Sequence, residues 1–414
     1  MKKIIFFLLL PLQLLSQAPG KEELNRWEKR SRAVTIVRDQ WGIPHVYGKS
    51  DADCVFGLMY AQSEDDFERI EMNYLEKLGR MAEVKGEPLI YEDLLNRLVL
   101  DSAEALNDYN NAPPWLRELL IAFADGMNYY LYRNPGTKPY IIHHFEPWFP
   151  LMWTDGSISS VRTAGISIQE LKAFYTGEPE TTALNDQVEP PATGSNGFAI
   201  GPSRSASGHA LLYINPHVSF YFRAEVQMVS EQGLNSYGAV TWGQFFVYQG
   251  FNAHCGWMHT TSAADAEDLY IEKISKRSDS LFYEYENKQR PVVMKNIRIA
   301  YQSAGGMKSK TFRALFTDHG PIMAKRNGNW LSLKAINRTM DGLIQSWLRI
   351  KTNNFEEFLK TLELKGNSSN NTVYADDKGN IAYWHGNYMP VRDNHFDWSK
   401  PVEGSIAGTE WKGV

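Results

Sequence analysis

The stretch from 194 to 217 constrains this chain more than any other. It opens on Gly194-Ser195-Asn196, Phe198 and Ile200 then alternate with small residues, residues 201–208 carry turn chemistry, and an apolar run resumes from Ala210 to Ile214. Period-two alternation on both sides of a glycine- and serine-rich turn predicts a β-hairpin whose first strand begins at Ser195. A Gly-Ser-Asn tripeptide on its own is ordinary loop punctuation. At the start of a strand it has a further chemical use. Gly194 has no Cβ, so the hydroxyl that follows it can approach its carbonyl closely. Breaking that peptide bond frees an α-amine, whose ordinary pKa of about 7.7–8.0 lets it accept the proton of its own hydroxyl near neutrality. One residue then supplies both nucleophile and base.

Around this hairpin the pattern changes character. Residues 176–194 are rich in proline, acid and threonine and contain no aromatic residue, which predicts an exposed linker or spacer. Upstream, residues 33–47 alternate across a Gly/Pro turn and predict two short strands. From Asp51, read as an N-cap, Val55, Met59, Phe67, Ile70 and Leu75 recur near helical spacing, with Glu64, Asp65, Glu68 and Glu76 on other faces. Helical periodicity returns at 114–132 and 152–175. Downstream, strands are predicted at 226–229, 238–242, 245–248 and 253–261, and a helix at 340–351. Lys2 and Lys3 precede an apolar run at 4–15, followed by Ser16, Gln17 and Ala18. That is the layout of a secretory signal, too short for a membrane span. The predicted organisation is a signal peptide at 1–16, a mostly helical first segment at 17–175, a linker at 176–194 and a strand-rich nucleophile segment at 195–414, in a periplasmic or secreted protein.

A net charge of −5 over 414 residues, with no block of lysine or arginine, argues against nucleic acid or an anionic membrane surface as partner. A small neutral or mixed substrate fits better. Cys54 and Cys255 are the only cysteines. They form one bridge or stand as separate buried thiols, the second being expected. His254, His259 and His319 lack the spacing of a zinc motif. Asp265 and Asp268 follow a predicted strand and read either as a solvated acidic turn or as part of a calcium site, for which two carboxylates are too few alone.

The full run Gly194-Ser195-Asn196, Ser203-Arg204-Ser205-Ala206-Ser207-Gly208 and Asn215-Pro216-His217 resembles the penicillin acylase family of N-terminal-nucleophile hydrolases. Histidine at 217 is more like its acyl-homoserine-lactone and cephalosporin acylases. The segment Arg38-Asp39-Gln40-Trp41-Gly42-Ile43-Pro44-His45, with Phe56-Gly57 and Tyr60-Ala61-Gln62, is similar to the opening of that family's first subunit. The resemblance implies an α+β fold with a four-layer αββα core and autocleavage between Gly194 and Ser195. It makes Ser195 the nucleophile, His217 its neighbour that holds the new amine, and the Thr261 amide an oxyanion donor. It places structural calcium on Asp265 and Asp268, with the Glu267 carbonyl and, as a weaker match, Glu170. No organic cofactor is implied, and the processed subunits are expected to stay together as a heterodimer. Asn371 and Asp376 are expected to shape the pocket floor. The implied activity is hydrolysis of linear amides of N-acyl compounds through an acyl-enzyme; the alternative is a processing-deficient periplasmic homologue that binds amides or lactones. The final residues, 404–414, resemble the approach to a segment carrying the asparagine that supplies the second oxyanion donor, so a truncated chain of weak activity is expected.

Overall fold

The computed structural model describes residues 19–153, 161–180, 194–219, 221–262, 264–366, 370–385 and 389–414. The signal expected at 1–16 and most of the linker expected at 176–194 lie outside them.

The long helix predicted from residue 51 spans Asp51–Lys77, but its cap is Ser50. The Ser50 side chain accepts the Asp53 amide while the Asp53 carboxylate reaches back to the Ser50 amide, a reciprocal capping box. Asp51 is thereby free for other partners, and it accepts from the Ser230 hydroxyl at 2.6 Å and the Lys351 ammonium at 2.5 Å. This helix packs on a second, Pro114–Arg133. Gly126 makes the close approach possible, because a Cβ there would lie 2.5 Å from the Phe56 carbonyl oxygen.

The helix pair covers one face of an eight-stranded sheet with the order Val34–Arg38, Pro44–Gly48, Arg223–Ser230, Asn235–Thr241, Gln249–Asn252, Cys255–Thr261, Asn370–Asp376, Ile381–Trp384. Its first two strands come from before the expected linker. Pro44–Gly48 joins Arg223–Ser230 in parallel, with His45 opposite Gln227, so both parts of the chain share one sheet. The Arg38–His45 turn is held locally: Asp39 Oδ1 accepts the amides of Trp41 and Ile43. Tyr74, Phe123, Phe145, Phe245 and Trp257 fill the core between helices and sheet.

The hairpin Ser195–Ile200 with Leu211–Pro216 lies on the sheet's other face. Residues of a strand alternate between faces. Trp257 joins the helix-side core, while Met258 meets Gly197, where a Cβ would come within 2.4 Å of its sulfur. A six-stranded sheet, Val293–Ser303, Gly306–Thr317, Gly320–Arg326, Asn329–Ala335, Glu267–Glu272 and Val402–Glu403, builds a second core with the helices Ile90–Val99 and Ile168–Thr176. No described helix is long and apolar enough to cross a membrane.

Two local expectations change. The helical pattern at 152–175 yields the helix Ile168–Thr176 and a single 3-10 turn, Phe149–Met152, with residues 161–167 non-helical; residues 154–160 lie outside the described set. The strand expected at 245–248 is a connection in which Phe245, Phe246, Val247 and Tyr248 are all buried. A short apolar run satisfies burial with or without sheet pairing, and periodicity cannot separate the two. Cys54 and Cys255 are buried free thiols, and burial raises the pKa of both.

Candidate active site

Ser195 begins its strand, as the alternation predicts, opposite Pro216. This is a non-hydrogen-bonded pair of the antiparallel ladder, so the amide hydrogen that proline lacks is not called on there. The next pair is the hydrogen-bonded one: the His217 backbone N–H donates to the Gly194 carbonyl oxygen at 3.0 Å. The Ser195 hydroxyl donates to the same oxygen at 2.6 Å. Two donors therefore polarise the carbonyl of the peptide bond that precedes the serine.

The His217 ring is held by both strands of the hairpin. Its Nε2 lies 3.0 Å from Asn215 Oδ1 and 3.2 Å from Asn196 Nδ2. A protonated Nε2 donates to Asn215, and an unprotonated one accepts from Asn196, so the two asparagines read opposite tautomers. The structure thus places His217 next to Ser195, as the sequence implies, and its hydrogen bond to the scissile unit is made through the main chain.

Thr261 ends the strand Cys255–Thr261. Gly197 packs on Met258, and Leu212, the ladder partner of Ala199, packs on Gly256. Stepping two residues along each strand carries Ser195 to the Thr260–Thr261 end, so the hairpin brings the serine and this strand end together. Asn371 Nδ2 donates to Thr260 Oγ1 and to the Thr261 carbonyl, both at 3.1 Å. Its side chain braces the strand end, and Asp376 accepts the amides of Lys378 and Asn380 in a turn.

The four acidic residues implied as calcium ligands do not assemble as a metal set. Glu170 caps its own helix by accepting the Ser167 amide and pairs with Arg326 Nε at 2.6 Å. Arg392 occupies the oxygens of the other three. Its Nε donates to Asp268 Oδ2 at 2.8 Å, its Nη1 to the Asp265 carbonyl at 3.0 Å, and its Nη2 to the Glu267 carbonyl at 3.3 Å. Among the described residues no three His, Cys, Asp or Glu stand together as candidate ligands. These residues, as arranged, do not fit a bound calcium.

Sequence reading singled out neither Arg392 nor the paired roles of Asn196 and Asn215. The hairpin register carries a signal for the second pair, since it sets Asn196 and Asn215 opposite each other. Arg392 lies 124 residues from Asp268 and has no local signal.

The profile of the penicillin amidase family matches residues 33–414. A penicillin acylase 2 proenzyme of a Pseudomonas species is 24% identical, over 92% of this chain and 56% of its own length. An acyl-homoserine lactone acylase, PvdQ, of Pseudomonas putida is also 24% identical, over 92% of this chain and 55% of its own. An acyl-homoserine lactone acylase, QuiP, of Pseudomonas fluorescens is 21% identical over 70% of this chain and 41% of its own. The chain thus spans about half the length of the curated relatives it matches. The thermostable penicillin G acylase of Alcaligenes faecalis, in orthorhombic form, superposes with a TM-score of 0.44 at 26% identity, over 53% of this chain and 40% of that one. With a family profile running from the first short strand to the last residue, this chain belongs to the penicillin amidase family.

Proposed function

We propose that this chain is an exported amidohydrolase that matures by cutting itself between Gly194 and Ser195 and then uses the freed Ser195 as nucleophile. The observation that carries this reading is the double hydrogen bond to the Gly194 carbonyl, from the Ser195 hydroxyl and the His217 amide. Attack of Ser195 Oγ on the Gly194 carbonyl carbon forms a C–O bond and breaks the C–N bond. The hydroxyl proton passes to the departing nitrogen, giving an ester and a free amine. Water then hydrolyses the ester to a Gly194 carboxylate and the Ser195 hydroxyl. Charge that develops on the carbonyl oxygen in the first step falls on an oxygen already facing the His217 N–H, which is where a preorganised donor lowers a barrier.

After cleavage the Ser195 amine takes the proton of its own hydroxyl as the oxygen attacks a substrate amide. The Ser195 amine passes that proton to the substrate's nitrogen as the substrate C–N bond breaks, so the substrate's amine leaves, an acyl-Ser195 ester remains, and water releases the acid. Thr261, at the strand end that the hairpin brings to Ser195, is proposed to give its amide to the oxyanion. The two acyl-homoserine lactone acylases and the penicillin acylase among its relatives favour N-acyl amines as substrates. The two parts stay associated as a heterodimer in this reading, since they share the eight-stranded sheet. A four-layer αββα core belongs to the same proposal: helices cover one face of that sheet, the hairpin lies on the other, and Phe198, Ile200, Leu211 and Tyr213 point outward from the hairpin.

The test is N-terminal sequencing of the purified protein with acid release measured across a series of N-acyl amines of increasing chain length. A terminus at Ser195 together with acid release supports the proposal. An uncut chain that binds amides without turning them over defeats it.

A further inference from the structure

We infer that Arg392 is the resident cation of the acidic segment 265–268 that leads into the strand Glu267–Glu272, a guanidinium standing where a divalent ion would otherwise neutralise Asp265 and Asp268. Its fork meets four acceptors on three residues: Asp268 Oδ2 at 2.8 Å, the Asp265 carbonyl at 3.0 Å, Asp265 Oδ2 at 3.1 Å and the Glu267 carbonyl at 3.3 Å. These are two side chains and a main-chain carbonyl of the set that the family resemblance assigned to calcium, with one further carbonyl. Calcium takes six to eight oxygens in a flexible shell. A guanidinium offers five N–H donors in a fixed plane and keeps its charge throughout the accessible pH range.

The arginine is not a surface side chain that has drifted onto a pair of acids. Its side chain is 10% exposed and that of Asp268 2%. The indole of Trp398 lies under the guanidinium at 5.5 Å, and the Trp411 indole N–H donates to the same Asp268 Oδ2 at 2.5 Å. The backbone beside it is pinned as well: Val391 exchanges main-chain hydrogen bonds of 2.8 Å with Lys412 and Gly413. For an ion to take these oxygens, the Arg392 side chain must swing away from them, and that means giving up its ion pairs with Asp265 and Asp268 and its contact with the Trp398 indole together. Two cations sharing the site would repel at a few ångströms, and on the side of Asp268, whose side chain is 2% exposed, such repulsion is poorly screened.

This role is independent of catalysis, so it is tested on stability and binding with the intact chain. Melting temperature is measured in calcium and in chelator, and terbium is titrated while exciting tryptophan, with Trp398 and Trp411 as the nearby donors. Wild-type protein is expected to melt at the same temperature in both buffers and to show no saturable sensitised emission. Arg392→Ala is expected to melt lower in chelator, to regain part of the loss in calcium, and to acquire saturable terbium emission. Calcium stabilisation or stoichiometric terbium binding in the wild type overturns the inference, and this arm needs no variant to fold. Arg392→Lys keeps the charge but not the fork and is expected to fall between the two; a melting temperature unchanged in both variants also overturns the inference.

Discussion

Ser195 and His217 reach one oxygen from the two strands of a single hairpin. The serine hydroxyl and the histidine main-chain amide both donate to the Gly194 carbonyl, at 2.6 and 3.0 Å. The nucleophile and the donor that would hold the developing charge are therefore positioned by the register of the same ladder. Substitutions that change side chains alone should separate the two contributions.

Ser195→Ala is expected to leave the chain uncut, with helix and sheet content unchanged by circular dichroism, because the hydroxyl that attacks is gone while the hairpin register is not. Mass spectrometry of the purified variant checks this. Cleavage at the same bond in the alanine variant would mean that some other group attacks.

His217→Ala keeps the main-chain N–H and removes the ring that bridges Asn196 and Asn215. One neutral hydrogen-bonded group is worth about 1 kcal/mol, so processing should slow by about tenfold or less rather than stop. Time courses of precursor disappearance decide it. A complete block would show that the ring itself moves a proton in the cleavage.

A buried histidine ties residue 410 to the six-stranded sheet. His319 contacts Glu272 through Nδ1 at 2.8 Å and Glu410 through Nε2 at 3.0 Å, stacked on Tyr270. Burial by itself would lower the His319 pKa, but hydrogen bonds to Glu272 and Glu410 outweigh it and hold it above the usual 6.5. The hydrogen bond from His319, opposed by burial and helped by Lys334, pulls Glu410 down to about 2 from 4.5. The signs are opposite. The histidine's contribution is complete below pH 6.5 and fades as pH rises through its folded value, whereas that of Glu410 is complete above pH 4.5 and fades as pH falls toward 2. His319→Gln should therefore lower the melting temperature most at about pH 5–6 and progressively less above neutrality. A loss that is the same at all pH values would rule out a charged histidine.

Gly250 faces Gly238 across two central strands, and a Cβ at 250 would lie 2.1 Å from the Tyr237 carbonyl oxygen. Backbone cannot swing aside as a side chain can. Gly250→Ala is expected to cost about 1–3 kcal/mol, read as a lower midpoint in urea. A change below about 0.5 kcal/mol, the range of an ordinary surface substitution, would show that the strands separate more easily than their pairing suggests.

Much of the framework was legible before any coordinates. Alternation and turn residues placed the hairpin and set Ser195 at its start. Helical spacing placed the helices Asp51–Lys77 and Pro114–Arg133, the first within one residue of its cap. Such signals are local, because side-chain periodicity and turn preference act over a few residues. The motifs also put the serine, His217 and Thr261 in one family site by position. They did not say which group of His217 meets Gly194, since that is set by strand register, which puts its main-chain amide opposite the Gly194 carbonyl. Nor did they reveal that Asp265, Glu267 and Asp268 are answered by Arg392, or that Glu170 belongs to Arg326. Those pairings join residues more than 120 positions apart. A carboxylate in sequence is only an acceptor awaiting a cation, and whether that cation is a metal or an arginine is decided when packing brings one of them within about 3 Å.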